Sequence, residues 1–332
     1  MGQKQFFFFA KAALTSTLVL IFVGAIVRVT GAGMGCPDWP TCWGCLIPPT
    51  QVEQVEFEKL DIAKFQRKAA RLGRDPQTIS VDTLRAEFNP RHVWTEFINR
   101  LFSLPVGLFS LLTFVWSFGQ RSRRPALFFA SFLALLLVLI NAWMGARVVY
   151  SGLAPGVLTL HMAMAFLLIL VQTWIVWQSA DTRWHPSFGD RFPIRRLRLV
   201  VGTLFLIVMA EGIMGSQVRE LTDAMSKHLS TPRNEWGHAL EHSWLYLTHR
   251  SFSWLILLMA TYAWSLSHRE RNSPMHPCEK LVLGIVLMQM VLGVVMSQIH
   301  IYGWVQVLHV GLAASLVSSN FFWLLGLGSR PR

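Results

Sequence analysis

The stretch Pro125-Ala-Leu-Phe-Phe-Ala-Ser-Phe-Leu-Ala-Leu-Leu-Leu-Val-Leu-Ile-Asn-Ala-Trp-Met-Gly145 decides the fold class. It carries no charged residue and follows the basic cluster Arg121, Arg123 and Arg124. A hydrocarbon core about 30 Å thick needs roughly 20 apolar residues per helix, so this run reads as a membrane span. Working outward, similar runs lie near 7–28, 94–119, 125–148, 157–178, 197–217, 244–267, 279–299 and 304–327. The whole chain agrees: of 332 residues, 53% are hydrophobic and 14% charged. A soluble domain carries about 25% charged residues. The expectation is an all-α integral membrane protein with eight transmembrane helices. The apolar content excludes disorder, and 4 Cys exclude a disulfide-dense scaffold. The net charge of +12 is spread among short loops, which fits a protein in membrane lipid and not a nucleic-acid binder.

Lys4, Lys11, Arg121, Arg195, Arg269 and Arg330 fall on one side of this topology, whereas loops 149–156 and 300–303 hold no Lys or Arg. By the positive-inside rule both termini are cytoplasmic, and the long loops 29–93 and 218–243 face outside. The first run follows a short head without a small-residue cleavage site and reads as a retained helix. With no Arg-rich transit segment, a bacterial plasma membrane is expected. Glu53–Leu72 has helical apolar spacing among charges. It reads equally as a helix on the membrane surface or as an ordinary cap helix.

The chain also repeats itself. Gly145-Ala-Arg-Val-Val-Tyr-Ser to His161 parallels Gly293-Val-Val-Met-Ser-Gln-Ile to His309, with the same step of 16 residues. Gly24-Ala-Ile-Val-Arg28 parallels Gly215-Ser-Gln-Val-Arg219, and Glu96-Phe-Ile-Asn99-Arg100 parallels Tyr246-Leu-Thr-His249-Arg250. Three matched pairs in one order predict two pseudo-symmetric four-helix bundles, residues 1–178 and 179–332.

Ionisable residues inside spans are rare and mark function. His249 and His309 fall at matching ends of two helices, and such a pair can ligate haem iron axially. The bland alternative is a hydrogen bond from each His to a neighbouring helix. In the first half Asn99 replaces one His, leaving His161 as the sole strong ligand and an open position. Glu96, one turn before Asn99, is a candidate acid or base; its alternative is a boundary carboxylate, solvated or paired with Arg. Arg28, Arg100, Arg147, Arg219 and Arg250 sit at outer span ends and suit haem propionates or, equally, lipid headgroups. Cys36 and Cys42 lie in the oxidising compartment and are the preferred disulfide, although nearby Cys45 leaves the pairing open. Cys278 falls on the cytoplasmic side. No CxxCH, P-loop or strand-linked GxGxxG is present.

Arg28-Val-Thr-Gly-Ala-Gly-Met-Gly-Cys36-Pro-Asp-Trp-Pro-Thr-Cys42-Trp-Gly44 resembles the first outer loop of the haem A synthases. Glu96-Phe-Ile-Asn99-Arg100 resembles their catalytic Glu-x-x-His-Arg segment, and Gly145-Ala-Arg-Val-Val-Tyr-Ser-Gly-Leu153 the stretch before their second His. The resemblance covers nearly the whole chain. It implies oxidation of a ring methyl of haem O to the formyl group of haem A, for terminal oxidases. It implies haem b on His249 and His309, a substrate site at His161 and Glu96, and a Cys36–Cys42 pair linked to that site. It also implies a haem O synthase and oxidase assembly proteins as partners, with homo-oligomerisation left open. Asn99 departs from the pattern, and loop 218–243 lacks the second Cys pair of some members. Asn99 either binds a substrate group or an iron-bound water, or marks an inactive site. A non-catalytic haem carrier or assembly factor is therefore the alternative function. A quinol-linked dihaem subunit would need four good axial ligands, and only three are present.

Overall fold

The computed structural model describes residues 2–38, 40–71, 75–151, 156–181, 183–189, 192–228, 236–269 and 271–328. Arg330 of the expected basic side lies outside the described residues, as does the middle of loop 218–243. Among the described residues the chain is helical, with no strand. The helices are α1 (Gln3–Val29), α2 (Ile62–Arg71), α3 (Val81–Glu87), α4 (Pro90–Ser117), α5 (Pro125–Tyr150) and α6 (Val157–Ser179). There follow α7 (Ile194–His228), α8 (Trp236–Leu240), α9 (Trp244–His268), α10 (Pro277–Val294) and α11 (Gly303–Gly328). Their starts follow from local chemistry. Asn89 caps α4 by accepting from the Arg91 and His92 N–H groups, and Pro stands at the first position of α4, α5 and α10.

Among the described residues seven helices, α1, α4 to α7, α10 and α11, are long and apolar enough to cross a membrane, which makes this a multi-pass membrane protein. The eighth expected span, 244–267, is the 25-residue α9, whose composition falls short of that mark. The reason lies in its first turns, where Thr248, His249, Arg250, Ser251 and Ser253 dilute the apolar run. A second difference concerns α7. The expected span 197–217 continues as helix to His228, so loop 218–243 opens with three more helical turns. The apolar run stops at Arg219 and Glu220, but charged residues propagate a helix once it protrudes beyond the bilayer.

Helices α1, α4, α5 and α6 pack in a closed ring, and α7, α9, α10 and α11 form another. The rings meet where α11 lies against α1 and α6, and where α6 touches α7. Small residues permit this closeness: a Cβ on Gly311 of α11 would collide with the ring of Phe22 on α1. Thr173 and Ser318 hydroxyls bond across the same seam at 2.9 Å. At one end, Glu220 of α7 accepts from the N–H groups of Gly156 and Thr159, neutralising the start of α6 and tying the rings together.

At that end the described residues between α1 and α4 form a cap, whose core of Cys36, Cys42, Trp43, Phe57 and Leu84 packs on Val93 of α4. Of the expected helix Glu53–Leu72, only Ile62–Arg71 is α-helical; it turns Ile62, Phe65 and Ala69 into this core, in keeping with the cap-helix reading, and Leu72 lies outside the described residues. At the other end, Arg271 and Glu279 make a buried ion pair at 2.7 Å, and Arg198 donates to the Leu327 carbonyl.

Candidate functional site

Cys36 and Cys42 form a disulfide that closes the loop above α1 and α4. The loop can lie this close to α4 because residue 35 is glycine; a Cβ there would collide with the His92 carbonyl. Glu96 reaches into the loop. Its Oε2 accepts from the Cys36 N–H at 2.7 Å, and its Oε1 pairs with Arg100 at 2.8 Å. Arg100 also donates to the carbonyls of Thr41, Cys36 and Asp38. Glu96 is thus a buried carboxylate, 3% exposed, shared between an arginine and the disulfide loop, and it is not solvated.

The second ring presents two imidazoles. His249 of α9 and His309 of α11 face each other with ring centroids 6.3 Å apart and planes at 79°. Glu211 of α7 lies 2.9 Å from Nδ1 of His249, and Ser253 donates to the same carboxylate oxygen at 3.0 Å. Gly215, one turn on from Glu211, leaves room for the His249 ring; a Cβ there would stand 3.3 Å from its Cε1. The Nδ1 of His309 is buried and has no protein partner.

The first ring repeats part of this plan, with Asn99 at the position of His249 and Leu20 at the position of Glu211. Gly24 stands to Asn99 as Gly215 stands to His249: a Cβ on Gly24 would lie 3.8 Å from Asn99 Oδ1. Gly145 stands in the same way 3.8 Å from the Cε1 of His161. The Asn99 Oδ1 and the His161 Nδ1 are both buried and unpartnered. Polar atoms left so in an apolar interior cost about 1–3 kcal/mol each, unless a ligand takes them up.

One cavity of about 1710 Å³ joins these groups, lined mainly by apolar side chains. Ordinary ligand pockets hold about 300–1,000 Å³. His161, Asn99 and Glu96 line one part, and His249, His309 and Glu211 another. Arg28, Arg219 and Arg250 also line it, with Arg219 bonded to Gln306 and Arg250 over the Tyr246 ring. Arg100 reaches the cavity but spends most of its donors on the disulfide loop. Arg147 is exposed on α5 and stands outside the lining. The donor set fits a planar iron macrocycle: buried imidazole nitrogens without protein partners, an apolar wall and arginines at one end. Sequence reasoning missed Glu211 and Ser253. The available signal was a lone carboxylate inside an apolar run, one turn before a repeat glycine.

The COX15-CtaA family, described as cytochrome oxidase assembly protein, matches residues 8–321. A protein named heme A synthase from Bartonella tribocorum is 24% identical over 88% of this chain and 84% of its own length. Another of that name from Shewanella oneidensis is 24% identical over 94% of both chains. A third, from Sphingopyxis alaskensis, is 24% identical over 94% of this chain and 89% of its own.

Proposed function

The chain belongs to the COX15-CtaA family of cytochrome oxidase assembly proteins, and on that premise we propose that it is a haem A synthase. In this reading it is an oxidoreductase of the bacterial plasma membrane, with eight spans, both termini cytoplasmic and the cap outside. It oxidises a ring methyl of haem O to a formyl group. Two hydroxylations of one carbon and loss of water complete that change, with dioxygen or an oxidant derived from it as co-reactant. The observation that carries the reading is the continuous apolar cavity that reaches from the His249–His309 pair to His161, Asn99 and Glu96.

Residues 179–332 would hold haem b through His249 and His309. When bound there, this group supplies one-electron transfer. Glu211 orients the His249 ring through Nδ1, leaving Nε2 for the metal. Residues 1–178 hold the substrate, haem O, with His161 as the strong ligand. Asn99, whose Oδ1 is buried without a protein partner, would offer its amide for hydrogen bonding to the bound substrate. Glu96 takes and returns protons at its carboxylate, and Arg100 fixes that carboxylate against the Cys36–Cys42 loop. Arg28, Arg219 and Arg250 bind propionates. A haem O synthase supplies the substrate, and oxidase assembly proteins receive the product.

The test is co-expression with a haem O synthase, followed by haem extraction and mass identification. Haem A or its hydroxylated precursor should appear only with this chain and vanish in Glu96→Gln. Unchanged haem O beside bound haem b, with a control synthase active in the same cells, would overturn catalysis and leave a carrier.

A further inference from the structure

The cap holds a third cysteine that the reading above does not use. Cys45 is a free, half-exposed thiol, whereas Cys36 and Cys42 are buried at 0% and 1% exposure. Cys42-Trp-Gly-Cys45 is a two-residue hairpin: Cys42 N–H donates to the Cys45 carbonyl at 2.8 Å and Cys45 N–H to the Cys42 carbonyl at 3.2 Å. Residues that exchange both bonds lie directly opposite, with Cα atoms about 5.5 Å apart and side chains on one face. A disulfide accepts Cα separations of roughly 4.4–6.8 Å. The hairpin is pre-set, since Trp43 and Gly44 both have positive φ, 55° and 76°. The Asp38 carboxylate accepts from both their N–H groups, at 2.7 and 3.0 Å. Cys45 therefore faces one sulfur of the existing disulfide across a rigid turn.

We propose that Cys42 and Cys45 form the exchange site of a three-cysteine relay that connects the buried disulfide to an external dithiol. The Cys45 thiolate attacks the Cys42 sulfur. The Cys36–Cys42 bond breaks as the Cys42–Cys45 bond forms, and the leaving electron pair stays on Cys36, which takes up the proton that Cys45 released. This first step involves no net oxidation. A thiolate of an outer-compartment dithiol then attacks the half-exposed Cys45 sulfur, expelling Cys42 as its thiolate. The second thiol of the reductant closes its own disulfide and releases Cys45, leaving two new thiols in the cap and one oxidised dithiol. The relay reaches the candidate site, because Cys36 is the residue whose N–H holds Glu96 and whose carbonyl takes Arg100. The exchange itself does not rest on the haem reading.

The experiment uses the full chain in detergent, equilibrated with glutathione redox buffer, alkylated and mapped by peptide mass. In Cys36→Ser, Cys42 and Cys45 should be joined and resist alkylation; two labelled thiols at a potential where the wild-type disulfide persists would overturn the proposal. In Cys45→Ser, reduction of Cys36–Cys42 by a small dithiol should slow by about tenfold, since the remaining sulfurs are buried. An unchanged rate would also overturn it. The second measurement stands even if Cys36→Ser does not fold.

Discussion

Glu211 Oε1 lies 2.9 Å from Nδ1 of His249, and the two residues come from adjacent helices of the second ring. A carboxylate on the far nitrogen of a metal-bound imidazole fixes the ring and makes it a stronger donor, which favours the oxidised metal. Glu211→Gln keeps the shape and removes the charge. The expected result is retained haem with a raised midpoint potential, read by redox titration of the low-spin signal. An unmoved potential would show that Glu211 does not act through His249.

Asn99→His restores an imidazole where the repeat places His249 in the other half. Gly24 leaves space in front of residue 99 as Gly215 does in front of His249. The variant should therefore convert haem in the first ring from a form with an open position to a six-coordinate low-spin form. Carbon monoxide should bind the reduced parent protein, and its binding should fall in the variant. Equal binding in both would mean that residue 99 does not face the iron.

What could be read in advance follows from where each signal lives. The spans were legible because bilayer thickness sets a length on an uninterrupted apolar run. The pairing of His249 with His309 was legible because a repeat conserves spacing, and the ring contact at 6.3 Å carries it into space. Helix α9 shows the conflict between these signals. The residues that make it a candidate site, His249 and Arg250, are among those that lower its apolar content. The cap was the least legible part. Its core joins Trp43 to Phe57, Leu84 and Val93, contacts between distant positions that no local period encodes. Glu211 escaped because its one signal, a lone carboxylate one turn before Gly215, gains meaning only from the ring beside it.

Glu96→Ala should destabilise the cap as well as abolish product. It leaves the buried Cys36 N–H and the Arg100 guanidinium without their shared acceptor. Hydrogen bonds to charged groups contribute about 1.5–3 kcal/mol each. Glu96→Gln retains an oxygen for one of the two donors and should recover part of that loss while remaining inactive. Thermal unfolding in detergent, followed together with haem analysis, separates the two roles. Full activity in Glu96→Gln would remove Glu96 from proton handling.

The end opposite the cap carries a pH dependence of its own. His276 caps α10 by accepting the Cys278 N–H on Nδ1 at 3.2 Å, and its ring lies against Trp184 with centroids 4.5 Å apart. Only the neutral ring can accept there. Burial holds its pKa below the ordinary 6.5, with Arg271 pushing the same way and Glu279 against it. Below pH 6.5 the unfolded chain takes up a proton that the folded chain refuses until a lower pH. Unfolding then binds protons, so the stabilisation present above that value is lost as the pH falls through the lowered pKa, and levels off beneath it. Asn at 276 keeps a capping acceptor without titrating. Melting temperatures in detergent from pH 8 to pH 5 should decline more steeply for the parent chain than for His276→Asn. Parallel curves would place the acid sensitivity elsewhere in the molecule.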